Sequence, residues 1–190
     1  VPNLKKPEFE NAFTKKSQDS DDKIKELYNF VENYLKFFEH SDKIIIDKAP
    51  LNFRWLGFIK ILFPQSKIIH CTRDAKDTCW SIYKSSFDGS ALSWSYQLDE
   101  LVKYNNLYKE WMDYWIEYFP QEIYELNYES LINNQEVESR KLFEFCKIPW
   151  EADSLEFYKS KNTPIKTVSI VQARQPIYKT SIRASDNYSN

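Results

Sequence analysis

The segment Lys67-Ile68-Ile69-His70-Cys71-Thr72-Arg73-Asp74 decides how this chain is read. A short run rich in β-branched and apolar residues stops abruptly at an arginine and an aspartate. That is the pattern of a buried strand leaving a sheet. The residues that follow, through Ile82, read as a helix, and Asp74 and Asp77 stand at capping-box-like spacing at its start. Strand, short loop and helix form the repeating unit of α/β architecture. Parallel sheets of that kind bind ligands beyond the carboxyl ends of their strands, near helix N-termini.

The same unit is read upstream. Lys43-Ile44-Ile45-Ile46-Asp47 is a second short strand candidate, expected to be buried, and Lys48-Ala49-Pro50 is a loop because Pro50 disfavours helix at Ala49. A helix from about Asn52 carries Phe53, Leu56, Ile59 and Phe63 until Pro64 blocks it. Before these, Ile24, Leu27, Tyr28, Val31, Tyr34, Leu35 and Phe38 repeat at helical spacing, behind a polar lead-in over residues 1–20.

Downstream, Phe87 to Ser95 reads as a loop. A long amphipathic helix then places Leu98, Leu101, Asn105, Tyr108, Met112, Trp115 and Phe119 on one face and ends at Pro120. Ile123 to Asn127 is a strand, Val137 to Cys146 a helix, and a short helix follows Trp150 through about Tyr158. The expectation is one α/β domain over residues 1–190, a mostly parallel sheet flanked by helices, with residues 163–190 as a C-terminal lid or tail.

Composition narrows the function. A formal charge of -2 gives no net attraction to nucleic acid, and no apolar stretch reaches membrane-spanning length. The three cysteines show neither metal nor disulfide-scaffold spacing; Cys71 and Cys79, beside apolar runs, are expected to be quiet core thiols in a reducing, cytoplasmic setting. The two histidines, His40 and His70, have no cluster of thiols or carboxylates around them, so no metal site is expected. His70, inside an apolar strand, reads as a satisfied core residue.

Several residues have chemistry suited to an anion. Arg73 stands where a strand exits toward a helix, and a guanidinium there makes bidentate bonds to phosphate or simply joins a surface ion pair. Ser81 lies two turns into the helix. Lys48, in the loop after the upstream strand, is either a solvated lysine or a cation for a departing phosphate. Tyr128 lines a pocket or packs in the core, and Glu129 accepts hydrogen bonds near a helix start rather than acting as a base. The tail is rich in donors, with Ser169, Gln172, Arg174, Tyr178, Lys179 and Arg183.

The run Ile68 to Asp74 followed by Ser81 resembles the 3′-phosphate-binding signature of sulfotransferases that use 3′-phosphoadenosine 5′-phosphosulfate. Asp47-Lys48-Ala49-Pro50-Leu51-Asn52-Phe53, Leu62-Phe63-Pro64, Tyr128-Glu129-Ser130-Leu131, Phe145 to Trp150 and Ser169 to Tyr178 resemble further landmarks of that family. They are similar in particular to its bacterial, tetratricopeptide-linked branch and to the tyrosylprotein sulfotransferases. The resemblance covers roughly residues 43–182.

It implies a P-loop-NTPase-like sulfotransferase fold and sulfuryl transfer to an acceptor hydroxyl, on a peptide, sugar or small molecule, with 3′,5′-bisphosphoadenosine released. It makes Arg73 and Ser81 the 3′-phosphate clamp and Lys48 part of the catalytic apparatus, and adds Tyr128, Ser169 and Lys179 to the nucleotide site. Beyond Ser181 the pattern departs, with Ser185 near where a tryptophan is expected. The family's glycine-containing phosphosulfate loop is not found, the glycines being Gly57 and Gly89, and Val1-Pro2-Asn3-Leu4 looks like the sequence just after the family's catalytic glutamate. The chain is therefore expected to be N-terminally truncated, with a missing segment or a partner chain covering exposed core. The competing reading is an inactive nucleotide-binding or protein-interaction module. A kinase-like P-loop relative is less well supported, since no Walker lysine motif occurs.

Overall fold

The computed structural model of the chain describes residues 25, 29, 44–85, 87, 90–159, 175–177 and 182–186. Two strands, β1 (Ile68–Thr72) and β2 (Ile123–Asn127), pair in parallel, with Ile68 opposite Ile123 and Thr72 opposite Asn127. Around them stand helices α1 (Leu56–Leu62), α2 (Ala75–Tyr83), α3 (Leu98–Tyr118), α4 (Tyr128–Asn133) and α5 (Gln135–Cys146). The fold is mixed α/β, a small parallel sheet flanked by helices. Among the described residues no helix is long and apolar enough to cross a membrane.

The core lies between α1, the 3-10 turn that leads into it (Pro50–Trp55), and α3. Phe53, Leu56, Met112 and Trp115 are its buried centre, with Ile68 and Ile123 packing in from the sheet. Pro50 opens the 3-10 turn, where its missing N–H costs nothing. Along α3, Leu101, Tyr104, Tyr108, Met112, Trp115 and Phe119 recur every three or four residues, so one stripe turns inward. Leu98, expected on that stripe, is 52% exposed because it opens the first turn, before the helix meets the core. The Trp115 indole N–H donates to the Phe53 carbonyl at 2.9 Å, which satisfies the one polar atom of a buried ring.

The strands start together because of a buried lysine. Lys60 of α1 donates to the carbonyls of Pro64 (2.7 Å) and Ser66 (3.1 Å) and pairs with Glu122, while Ile68 N–H reaches the Glu122 carbonyl at 3.3 Å. One ammonium thus ties the turn before β1 to the turn before β2. On the face of β1 toward α3, the His70 ring meets Tyr108, whose hydroxyl bonds Nε2, and Nδ1 lies 3.4 Å from Glu125 Oε1. Burial lowers the His70 pKa from the ordinary 6.5, against the opposing pull of Glu125 and Asp113.

Three expectations are corrected. Ile44 to Asp47 is not a strand: it carries no regular structure and is exposed, Ile44 at 65% and Ile46 at 84%. Its composition favours a strand, but a strand needs a ladder partner, and among the described residues β1 pairs only with β2. Cys71 is exposed rather than core, because strand alternation turns it and Ile69 to the face opposite His70. Phe87 to Ser95 is not simply loop. A 3-10 segment (Ser90–Tyr96) forms there, held by the Tyr96 hydroxyl bonding both backbone groups of Phe87 (2.8 and 2.9 Å) and by Trp94 stacking on Tyr104 at 3.9 Å.

Trp115→Ala is expected to cost about 3–5 kcal/mol, seen as a lower urea midpoint, and Trp115→Phe clearly less; equal, small effects would remove Trp115 from the centre of the core. For His70 the sign follows from linkage. Its folded pKa is lowered, so the stability it contributes is complete above 6.5 and is lost as pH falls from there through the folded value. His70→Asn should flatten that limb of the stability-pH curve, and an unchanged limb would assign it to other groups.

Candidate functional site

Parallel pairing brings the exits of β1 and β2 side by side, and each exit turns at once into a helix. Asp74 caps α2 by accepting from Asp77 N–H at 2.9 Å; Asn127 caps α4 by accepting from Ser130 N–H at 2.8 Å. Both caps follow from side chains that satisfy helix amides otherwise left without partners. Glu129 bridges the two exits, one oxygen taking the Asp74 N–H at 2.9 Å and the other the Asn127 side-chain amide at 3.0 Å. This is the acceptor role expected of Glu129.

A pocket of about 480 Å³ opens between these exits. Thr72, Arg73 and Asp74 line it from the first, Asn127 and Glu129 from the second, and Ile182 and Arg183 close it from the tail. The Arg73 guanidinium lies over the Tyr128 ring, 5.2 Å from its centroid, and 3.8 Å from the carboxylate of Asp77. Arg73 is held on a π face and a carboxylate with its side chain 23% exposed toward the pocket.

Asp77 is buried beneath. Burial disfavours its charge, but the N–H groups of Ser185 and Arg183, the Ser185 side chain and Arg73 outweigh that and hold its pKa below the usual 3.8. Two arginines, Arg73 and Arg183, and three acidic residues, Asp74, Asp77 and Glu129, are among the residues that line the pocket. Each carboxylate is engaged as an acceptor by N–H groups of the protein itself. Arg73, beside the N-terminus of α2, is a lining side chain with chemistry suited to an anion.

Of the residues singled out from sequence, Arg73 and Tyr128 come together here. Ser81 is exposed two turns along α2 and is not on the pocket wall, and its carbonyl accepts from the Ser85 hydroxyl at 2.8 Å. Lys48 lies exposed in the extended stretch before the 3-10 turn and does not line the pocket. Ser169 and Lys179 lie outside the described residues. Asp77 was legible only as part of a local cap; its contacts with residues 183 and 185 carry no signal in local spacing.

The sequence model of the sulfotransferase family matches residues 3–152. The chain is also similar to a protein of Aquifex aeolicus (strain VF5) described as an uncharacterized protein, at 38% identity over 146 residues. That alignment takes in 76% of this chain and 19% of the relative, so the chain spans about a fifth of the length of the curated relative it matches.

If Glu129 is a bridge between strand exits, Glu129→Ala should lower stability by about 0.5–1.5 kcal/mol, because two donors lose their acceptor, and Glu129→Gln should restore only part of it, since one amide oxygen replaces two accepting oxygens. Indifference of the folded state to Glu129→Ala would contradict the bridge.

Proposed function

The chain belongs to the sulfotransferase family, and from that premise we propose that it serves sulfuryl transfer from 3′-phosphoadenosine 5′-phosphosulfate, with the pocket at Arg73 taking the donor's 3′-phosphate. The observation that carries this reading is the position of Arg73. It stands at the carboxyl end of a parallel strand, beside the capped N-terminus of α2, with its guanidinium over the Tyr128 ring and turned to an open pocket. Phosphate monoesters are bound by this combination of a planar fork of N–H donors and a helix N-terminus.

In the reaction the acceptor hydroxyl oxygen bonds to sulfur as the bond from sulfur to the bridging phosphate oxygen breaks. The hydroxyl proton leaves to a base, and the electron pair departs on the phosphate of 3′,5′-bisphosphoadenosine. Arg73 orients the donor through its remote phosphate, so binding energy gained away from the reacting centre fixes the reacting atoms. Tyr128 holds the Arg73 guanidinium in place. Lys48 neutralises the charge that develops on the departing phosphate. Ser169 and Lys179 complete the nucleotide contacts in this reading, within one domain whose C-terminal stretch covers the donor, while Ser81, off the pocket wall, is left without a part in them. The tyrosylprotein-like motifs around Lys48 and Tyr128 favour a peptidyl tyrosine as acceptor.

A second reading has support from a separate observation. Ile44, Ile45, Ile46 and Ile69 are exposed, between 41% and 84%, which suits a module that buries apolar surface against a partner and transfers nothing. Calorimetric titration with 3′,5′-bisphosphoadenosine separates the two. Micromolar binding that weakens about 10- to 100-fold in Arg73→Ala, the loss expected when charge-assisted bonds to a phosphate go, supports the donor site. A folded chain that binds nothing, or an Arg73→Ala variant that binds equally well, would overturn it.

A further inference from the structure

Asp77 is 2% exposed, inside α2, and its two oxygens are divided between backbone amides far along the chain. Oδ2 accepts from Arg183 N–H at 2.7 Å and Oδ1 from Ser185 N–H at 2.8 Å, 106 and 108 residues away. A carboxylate taken out of water is costly unless it is paired and hydrogen-bonded, and these two charge-assisted bonds offset that cost. Its contact with Arg73 is longer, at 3.8 Å, so the tail amides are its principal partners. Arg183 sits at φ 55°, in the left-handed region that disfavours a side chain. Such a conformation persists where the surroundings impose it. The turn presents two converging N–H groups, the arrangement that makes a concave anion site of a backbone, and Asp77 is the anion that fills it.

The consequence falls on the pocket. Ile182 and Arg183 line the wall that the strand exits do not supply, so Arg183 and Arg73 border the same pocket. Residues 182–186 also lie beyond the stretch matched by the family model, which ends at 152. We propose that Asp77 is a positioning residue that never touches the ligand: it ties the 182–186 turn to α2 and so places Arg183 beside Arg73 as a second cation for a phosphate ester. The placement rests on the donor-site reading of the pocket; the tie between Asp77 and the turn does not.

The test measures amide hydrogen exchange and 3′,5′-bisphosphoadenosine affinity on the full chain, for the wild type, Asp77→Asn, Arg183→Ala and the double variant. Faster exchange at Arg183 and Ser185 is expected in Asp77→Asn, with β1 and β2 still protected. Affinity should fall about tenfold, and Arg183→Ala should cost nothing further once Asp77 is changed. Unchanged exchange at the two amides overturns the tether. Faster exchange with full affinity, or additive losses in the double variant, overturns the positioning role. Should Asp77→Asn not fold, Ser185→Pro deletes one donor from the tail side and is read by the same criteria. A wild-type chain that binds no nucleotide while its two amides still respond upholds the tether and overturns the donor-site reading.

Discussion

The parallel pairing of β1 with β2 is the constraint on which the rest depends. Parallel strands exit on the same side, and the register from Ile68–Ile123 to Thr72–Asn127 puts Arg73 and Tyr128 one residue beyond the last paired positions. Neither residue is near the other in sequence. Their contact exists because a crossover containing α2, the 3-10 segment and α3 returns the chain beside β1, as parallel pairing requires. Lys60 fixes the opposite end of the pair, so the sheet is pinned below by an ammonium and bridged above by Glu129.

How legible this was from sequence depended on whether a feature is local. Hydrophobic periodicity located β1, β2, α2 and α3 because each carries its own pattern, an apolar run or a recurring stripe, and Pro64 and Pro120 mark where helices stop. The same reasoning misplaced Ile44 to Asp47, whose β-branched composition is as strand-like as that of β1. What separates them is a hydrogen-bonding neighbour, and composition holds no record of one. Cys71 was misjudged for a related reason: an apolar strand need not be covered on both faces, and here His70 turns toward α3 while Cys71 and Ile69 turn outward.

The site divides along the same line. The place of Arg73 at a strand exit is legible because that signal is local, its role as a phosphate ligand coming only from the family resemblance, and Glu129 is legible because a carboxylate beside a helix start is placed to accept hydrogen bonds. Asp77 was visible only as a neighbour of Asp74, although its carboxylate serves residues more than a hundred positions away. The motif that drew attention to Arg73 and Ser81 places one of them on the pocket wall and leaves the other exposed along α2. The formal charge of -2 describes the whole chain, whereas the pocket lining combines two arginines with three carboxylates. The carboxylates near Arg73 accept from the protein's own N–H groups, which for Asp77 stabilise the ionised form and keep its negative charge beside Arg73.

The central claim is that the pocket between the two strand exits recognises the 3′-phosphate of the donor nucleotide. Amide chemical-shift mapping of the isotope-labelled chain, titrated with 3′,5′-bisphosphoadenosine and separately with adenosine 5′-phosphate, tests it most directly. The account predicts shifts concentrated at Thr72 to Asp77 and Ile182 to Ser185 with the bisphosphate, and little change there with the nucleotide that has no 3′-phosphate. The same shifts with both ligands, or perturbations that fall elsewhere on the fold, would contradict it.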